Sequence, residues 1–278
     1  MIDIGKYNTL RVLRETSAGF FLDAGDKQSI LLPGRYIPEN AKLGDLLTVF
    51  VYLDSEDRLV ATTETPRATV GEFAWLKVVS VNQRVGAFLD WGLAKDLLLP
   101  FREQTGPLHT GDGVLVYVYL DPTSNRIVAT TRLSRHLSPQ PPPYTEGQPV
   151  NLLIGSRTPR GFNAIIENAH RGLLYHTDIV APLESGQKIK GYVRRIRPDG
   201  KIDLSINASG YKLVAPLTEQ ILAALKTGGG RIAFDDSTSP QLIRDKFGVS
   251  KNAFKLALGA LYKKRQIRFL NPGIELVN

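Results

Sequence analysis

Residues 51–63 read VYLDSEDRLVATT, and residues 118–131 read VYLDPTSNRIVATT. The likeness extends backward from both stretches. Gly19, Leu22, Asp23, Gly25, Leu31, Leu32, Pro33, Gly44 and Asp45 recur 67 positions later as Gly86, Leu89, Asp90, Gly92, Leu98, Leu99, Pro100, Gly111 and Asp112. Self-similarity at one fixed spacing means a duplicated structural unit. A fainter third copy follows at a further offset of 75, where Gly86, Leu98, Leu99, Gly111, Arg126, Ile127 and Thr130 map to Gly161, Leu173, Leu174, Gly186, Lys201, Ile202 and Ser205. The added length lies in RHLSPQPPPYTEG, whose prolines make a stiff extended linker.

Each copy reads as short strands. Val114, Val116, Val118 and Leu120 alternate with Leu115, Tyr117 and Tyr119, the period of a strand with two distinct faces. Five strands in about 60 residues fit a small closed barrel, because closure removes edges that so short a sheet has no means to protect. The oligonucleotide-binding (OB) barrel is the candidate, with units at 1–66, 67–138 and 144–207.

From residue 213 the period changes to 3.6. LVAPLTEQILAALKTGGG gives an apolar helix face ended by glycines, and SPQLIRDKFGVSKNAFKLALGALYKKRQI gives two further helices split at Gly248, with Ser250 as an N-cap. RQIRFLNPGIELVN reads as a hairpin turning at Asn271, Pro272 and Gly273. Three helices and a hairpin over 213–278 make a winged helix. On its third helix Phe254, Ala257, Leu258 and Leu261 share one side, which leaves Lys251, Lys255, Tyr262 and Lys263 on the other. Residues 251–268 carry six basic side chains and no acidic one. Such a helix is a surface for nucleic acid, or a solvated lysine face on a protein-interaction module. The expected fold class is therefore mainly β with a C-terminal α/β module: three tandem five-stranded OB barrels followed by a winged-helix domain.

Composition narrows the partners. The formal charge is +8, and by unit it runs −3 over 1–66, +2 over 67–138, +3 over 139–206 and +6 over 207–278, which favours a polyanion toward the C-terminus. There is no cysteine, so disulfides, thiolate nucleophiles and cysteine-ligated metals are excluded. The start MIDIGKYNTL lacks the pattern of a signal peptide and no apolar run reaches membrane-spanning length, so a cytoplasmic protein with no membrane partner is expected.

The segments GAFLD, GLLYHTDI at 172–179, SGQKIKGYV at 185–193 and DGKIDLS at 199–205 resemble the RNA-binding barrel first described in the largest protein of the small ribosomal subunit, the S-one type. The third unit carries the clearest of these segments. The resemblance implies single-stranded RNA bound by a strand-two aromatic, a residue after GLL, a loop aspartate and a strand-five base. Carried over, the aromatic is Phe21, Phe88 and Asn163, and the residue after GLL is Pro33, Pro100 and Tyr175. The aspartate is Asp54 and Asp121, replaced by Arg197, and the base is Arg58, Arg126 and Lys201. No unit has the full set. Unit two keeps Phe88 and Arg126 with Trp91 nearby, while unit three keeps Tyr175 and gathers Arg194, Arg195, Arg197 and Lys201 around one hairpin. Alternation turns Leu22 and Leu89 inward and Phe21 and Phe88 outward; the alternative is that both phenylalanines are ordinary barrel side chains.

Three such barrels with a winged helix, together with FDDSTSP and SKNAFKLALGALY, resemble the conserved virulence factor B family of bacteria. That resemblance implies an RNA-binding, post-transcriptional regulator of gene expression, virulence-related in some relatives. His109, His136, His170 and His176 lie in loop-like contexts without ligand spacing, TGGGRIAF lacks the ending of a phosphate-binding loop, and Asp235 and Asp236 diverge on any regular element. Every stretch is assigned to a barrel, linker or winged helix, so no enzyme, cofactor or metal is expected. Two rival readings remain at this point. One is a winged-helix transcription factor gripping duplex DNA through Lys251 and Lys255, and the other is a scaffold bound to ribosomes or proteins.

Overall fold

In a computed structural model the described residues are 2–179, 182–206 and 210–277, with side chains described outside 210–216. The ends of the third and fourth units expected at 207 and 278 lie outside them. The chain divides after Leu137 into two compact units.

The first unit holds two barrels. One is built from β1 (Tyr7–Thr16), β2 (Gly19–Gly25), β3 (Gln28–Pro33), β4 (Leu46–Leu53) and β5 (Leu59–Thr62). The other is built from β6 (Phe73–Asn82), β7 (Gly86–Asp90), β8 (Leu97–Pro100), β9 (Gly113–Leu120) and β10 (Ile127–Thr130). The second unit holds a barrel of β11 (Pro149–Thr158), β12 (Gly161–Ile166), β13 (His170–Tyr175), β14 (Lys188–Ile196) and β15 (Ile202–Ser205). All three close in the same order, with strands three and five parallel and strand four returning to strand one. The alternating apolar residues fill the interiors: Leu22, Leu32, Val49 and Val51 in the first barrel, and Leu152, Ile154, Leu174 and Leu204 in the third. The repeated Gly19 and Gly86 have a steric cause. A Cβ there would lie 2.1 Å from the Leu32 carbonyl oxygen or 2.2 Å from that of Leu99, so strand two crosses strand three only without a side chain.

The winged helix consists of α1 (Gly210–Thr227), β16 (Arg231–Ile232), α2 (Pro240–Phe247), α3 (Lys251–Lys263), β17 (Ile267–Phe269) and β18 (Ile274–Leu276). Ser239 and Ser250 cap α2 and α3, accepting from Leu242 N and Ala253 N. Phe254, Ala257, Leu258 and Leu261 are buried against Leu217, Ile221 and Leu225 of α1. The TGGGRIAF stretch between α1 and α2 contains β16, which pairs with β18; two residues are too few to show a strand period.

The first two barrels share a core. Phe50 and Tyr52 sit on the outer side of β4 yet are buried, because Trp91 of the second barrel meets them edge-on at 5.6 and 6.5 Å. Trp91 is 3% exposed, and its indole N–H donates to Ala68 O at 2.7 Å. Burial pushes the Tyr52 phenol up to about 12. In the second barrel the corresponding Tyr117 stacks on His136 at 4.2 Å, where the linker begins.

Candidate nucleic-acid interface

The sheet register lays one residue from each of strands two, three and five side by side on the outer wall of each barrel. In the first barrel the row is Phe21, Leu31 and Val60; in the second it is Phe88, Leu98 and Val128; in the third it is Asn163, Leu173 and Asp203. Phe21 and Phe88 are half-buried while Leu22 and Leu89 are fully inside. What lies over the two rings differs. Phe21 faces Arg14 across the ladder, whose guanidinium carbon sits 4.0 Å above the ring, whereas Phe88 faces Ser80. A cation over a ring occupies the face on which a base stacks, so Phe21 is capped and Phe88 is open.

The strand-five bases are all engaged. Arg58 donates to its own hairpin's Asp54 at 2.9 and 2.7 Å, and Lys201 donates to Asp199 at 2.7 Å. Arg126 instead pairs with Asp57 of the first barrel, while Asp121 accepts from Ser124 at 2.7 Å and from Arg102 at 3.4 Å. Around Phe88 and Arg126 a cleft of about 450 Å³ is closed on one side by the first barrel's β4–β5 hairpin. Lys95 pins that hairpin, its ammonium donating to Leu53 O at 3.0 Å and Asp54 O at 2.7 Å, and burial lowers its pKa.

The third barrel replaces the apolar row with a polar network. Tyr175 donates to Asp203 at 3.1 Å, and Arg197 is bound to both Tyr175 and Asp203. Arg195 stands opposite Asp203 on the ladder and is exposed, with no side-chain partner among the described residues. Arg194 is the extra residue of a β-bulge in β14, and a bulge re-aims its side chain. It donates to Asp178 at 2.6 Å; Asp178 is 5% exposed, and Asn252 in the first turn of α3 lies close enough to favour its charged form. Arg194 thus belongs to the joint between barrel and winged helix.

On α3, Lys251 donates to Ser237 O at 3.0 Å and Lys255 lies 3.9 Å from Asp236. Toward its end Tyr262 (55% exposed) meets Phe269 (41%) with ring centres 5.5 Å apart, beside exposed Lys263, Lys264 and Arg265. Asp235, in the FDDSTSP stretch, is structural: it accepts from Ser237, Thr238 and Gly273 N, which holds its carboxyl down at about 2.

His136, His170 and His176 are hydrogen-bonded or stacked, and His109 is exposed with its ring 3.6 Å from Asp112. His170 opens β13, rather than lying in a loop, and meets Tyr144 at 3.0 Å and Gln140 O at 3.1 Å; His176 meets Thr158 O at 2.9 Å. Among the described residues no three His, Asp or Glu side chains gather as a metal would need, and no described helix is long and apolar enough to cross a membrane. Sequence reasoning missed Arg14, Ser80, Asp57, Lys95 and Asp178. The Arg14 to Ser80 exchange shows when LRVLRET at 10–16 is laid on LKVVSVN at 76–82, an offset of 66; the others act between segments distant in sequence and leave no local pattern.

A family model described as an S1 domain matches residues 4–64 and 70–132, and one described as a CvfB-like winged helix domain matches 219–276. The S1 matches fall on the first two barrels. The uncharacterized protein YitL of Bacillus subtilis is 29% identical, with 95% of this chain and 90% of that protein covered. A conserved virulence factor B of Staphylococcus epidermidis is 23% identical, covering 98% and 94%. A crystal structure of a multidomain protein with nucleic acid binding domains from Streptococcus pneumoniae is 24% identical and aligns over 99% of this chain and 98% of that one with a TM-score of 0.43. S1 domains and winged helices are nucleic-acid-binding domains and not enzymes. The chain is thus a nucleic-acid-binding protein with S1 domains and a CvfB-like winged helix domain, similar over nearly its whole length to proteins named conserved virulence factor B.

Proposed function

We propose that the protein binds single-stranded RNA and acts as a post-transcriptional regulator of gene expression. The observation that carries this reading is the open Phe88 ring on the outer wall of the second barrel, with Arg126 in the same cleft. An aromatic platform beside a cation takes any unstacked base and its phosphate, whereas a paired base offers no free face. Tyr175, Arg195, Arg197 and Lys201 on the third barrel, and Tyr262 and Lys263 on the winged helix, are the candidate contacts of the second unit; in the first, Phe21 contributes least because Arg14 covers it. A duplex-DNA reading needs the first turn of α3 to enter a groove, and that turn is engaged by Asp178, while Lys251 and Lys255 face the loop before α2.

The test is binding of the intact chain to a single-stranded RNA, competed by the same RNA as duplex and by duplex DNA across a salt series. Preference for the single strand with affinity falling as salt rises is expected. Equal, weak binding to all three overturns the reading. Phe88→Ala should weaken binding by about 1–3 kcal/mol, the range for one stacked base, and Phe21→Ala by much less.

A further inference from the structure

We propose that Asp57 is a placeholder for an RNA phosphate. In this account, which rests on the single-stranded RNA reading, the first barrel's hairpin closes the second barrel's stacking face into a slot for one nucleotide. Asp57 then holds Arg126 until the phosphate takes its place.

Four observations meet here. The cleft has the volume of a small-ligand site, about 450 Å³, and its walls come from two barrels: Phe88, Leu98 and Val128 from the second, and Leu53, Ser55 and Asp57 from the first. Lys95 ties the base of the hairpin to the second barrel through two carbonyls, so the wall is built in. Arg126 is paired from outside its own barrel, while its counterparts Arg58 and Lys201 are neutralised by aspartates of their own hairpins. The aspartate that would serve Arg126 in the same way, Asp121, is held by Ser124 and Arg102.

The chemistry of exchange follows. Carboxylate and phosphate present the same pair of oxygens to a guanidinium, so either satisfies Arg126. Both side chains of the Arg126–Asp57 pair are about half exposed, 53% and 45%, and a pair so wetted is weak enough for an incoming phosphodiester monoanion to displace. A base stacked on Phe88 brings its phosphate to that guanidinium, and Asp57 repels it until it turns away. The first barrel, its own ring capped, thus serves as the wall and electrostatic latch of its neighbour's site.

The experiment measures affinity of the intact chain for a short oligouridylate over a salt series, with four variants beside the wild type. Asp57→Asn should bind about three- to fivefold tighter, the range of one exposed ion pair, with the number of phosphate contacts read from the salt slope unchanged. Glu56→Gln removes the same charge from the same hairpin without touching Arg126, and should stay within about twofold of wild type. Arg126→Ala should weaken binding, and adding Asp57→Asn to it should change nothing more. No gain from Asp57→Asn, an equal gain from Glu56→Gln, or a gain that persists without Arg126 overturns the latch while RNA binding stands. A wild-type chain that does not bind the oligouridylate overturns the RNA reading and the latch with it.

Discussion

The joints inside the two compact units are made of opposite materials. In the first unit Trp91 wedges against Phe50 and Tyr52, and two barrels merge into one apolar core. In the second unit a barrel meets the winged helix beside a buried carboxylate, Asp178, which Arg194 holds and Asn252 of α3 approaches, and at Ile179, whose carbonyl accepts from Arg244 of α2 at 3.2 Å. An apolar joint derives its stability from area removed from water, about 25 cal/mol per Å², and is indifferent to pH and salt. A buried charge is tolerated only while its partners stay in place. The same chain thus fuses its first pair of modules and fastens its second pair with a contact that depends on ionisation.

The sharpest way to break this contrast is Trp91→Ala. Truncating a buried tryptophan is expected to destabilise by about 3–5 kcal/mol, and hydrogen exchange should show the loss throughout both barrels of residues 2–137 and leave 138–277 unchanged. Loss confined to the second barrel would mean that the shared core does not couple them. Arg194→Ala should have a smaller effect, about 1–3 kcal/mol, because it strands a buried acceptor rather than opening a core. Its mark is recovery: combined with Asp178→Asn the loss should shrink, since no charge is left to strand. An Arg194→Ala variant of native stability but weakened RNA binding would return Arg194 to the list of RNA ligands.

How much of this was legible beforehand depends on the distance over which each feature acts. Barrel number, strand order and the inward residues follow from the duplicated VYLD and VATT stretches and from alternation, both local signals. The winged helix follows from its caps and its 3.6 period. The fused joint left one trace, the exchange of Ala24 for Trp91 within the otherwise repeated LD-x-G. A large side chain where a duplicate keeps a small one needs a pocket that its own barrel does not supply. Arg194 was grouped with Arg195, Arg197 and Lys201 by position alone, and its hydrogen bond to Asp178 was not legible because a β-bulge breaks the count of two that strand reading rests on. Asp57 shows nothing in sequence, since its partner lies 69 residues away in the next barrel.

The smallest effect is the most specific to the polar joint. Burial, the largest influence on Asp178, raises its pKa above the ordinary 3.8, with Arg194 and Asn252 opposing. Between 3.8 and that raised value the folded state holds a proton that the unfolded chain has lost, so stability falls as pH rises through the window. Below 3.8 both states are protonated and the contribution is complete. Asp235 runs the other way: its pKa near 2 gives stability that is present above 3.8 and lost as pH falls toward 2. The ordinary aspartate value therefore separates two opposite slopes within one compact unit. Hydrogen exchange of the second unit, followed on both sides of that pH, should lose the upper slope in Asp178→Asn and the lower one in Asp235→Asn. If Asp178→Asn keeps the upper slope, Arg194 outweighs burial at the joint, and the second unit is fastened by an ordinary ion pair.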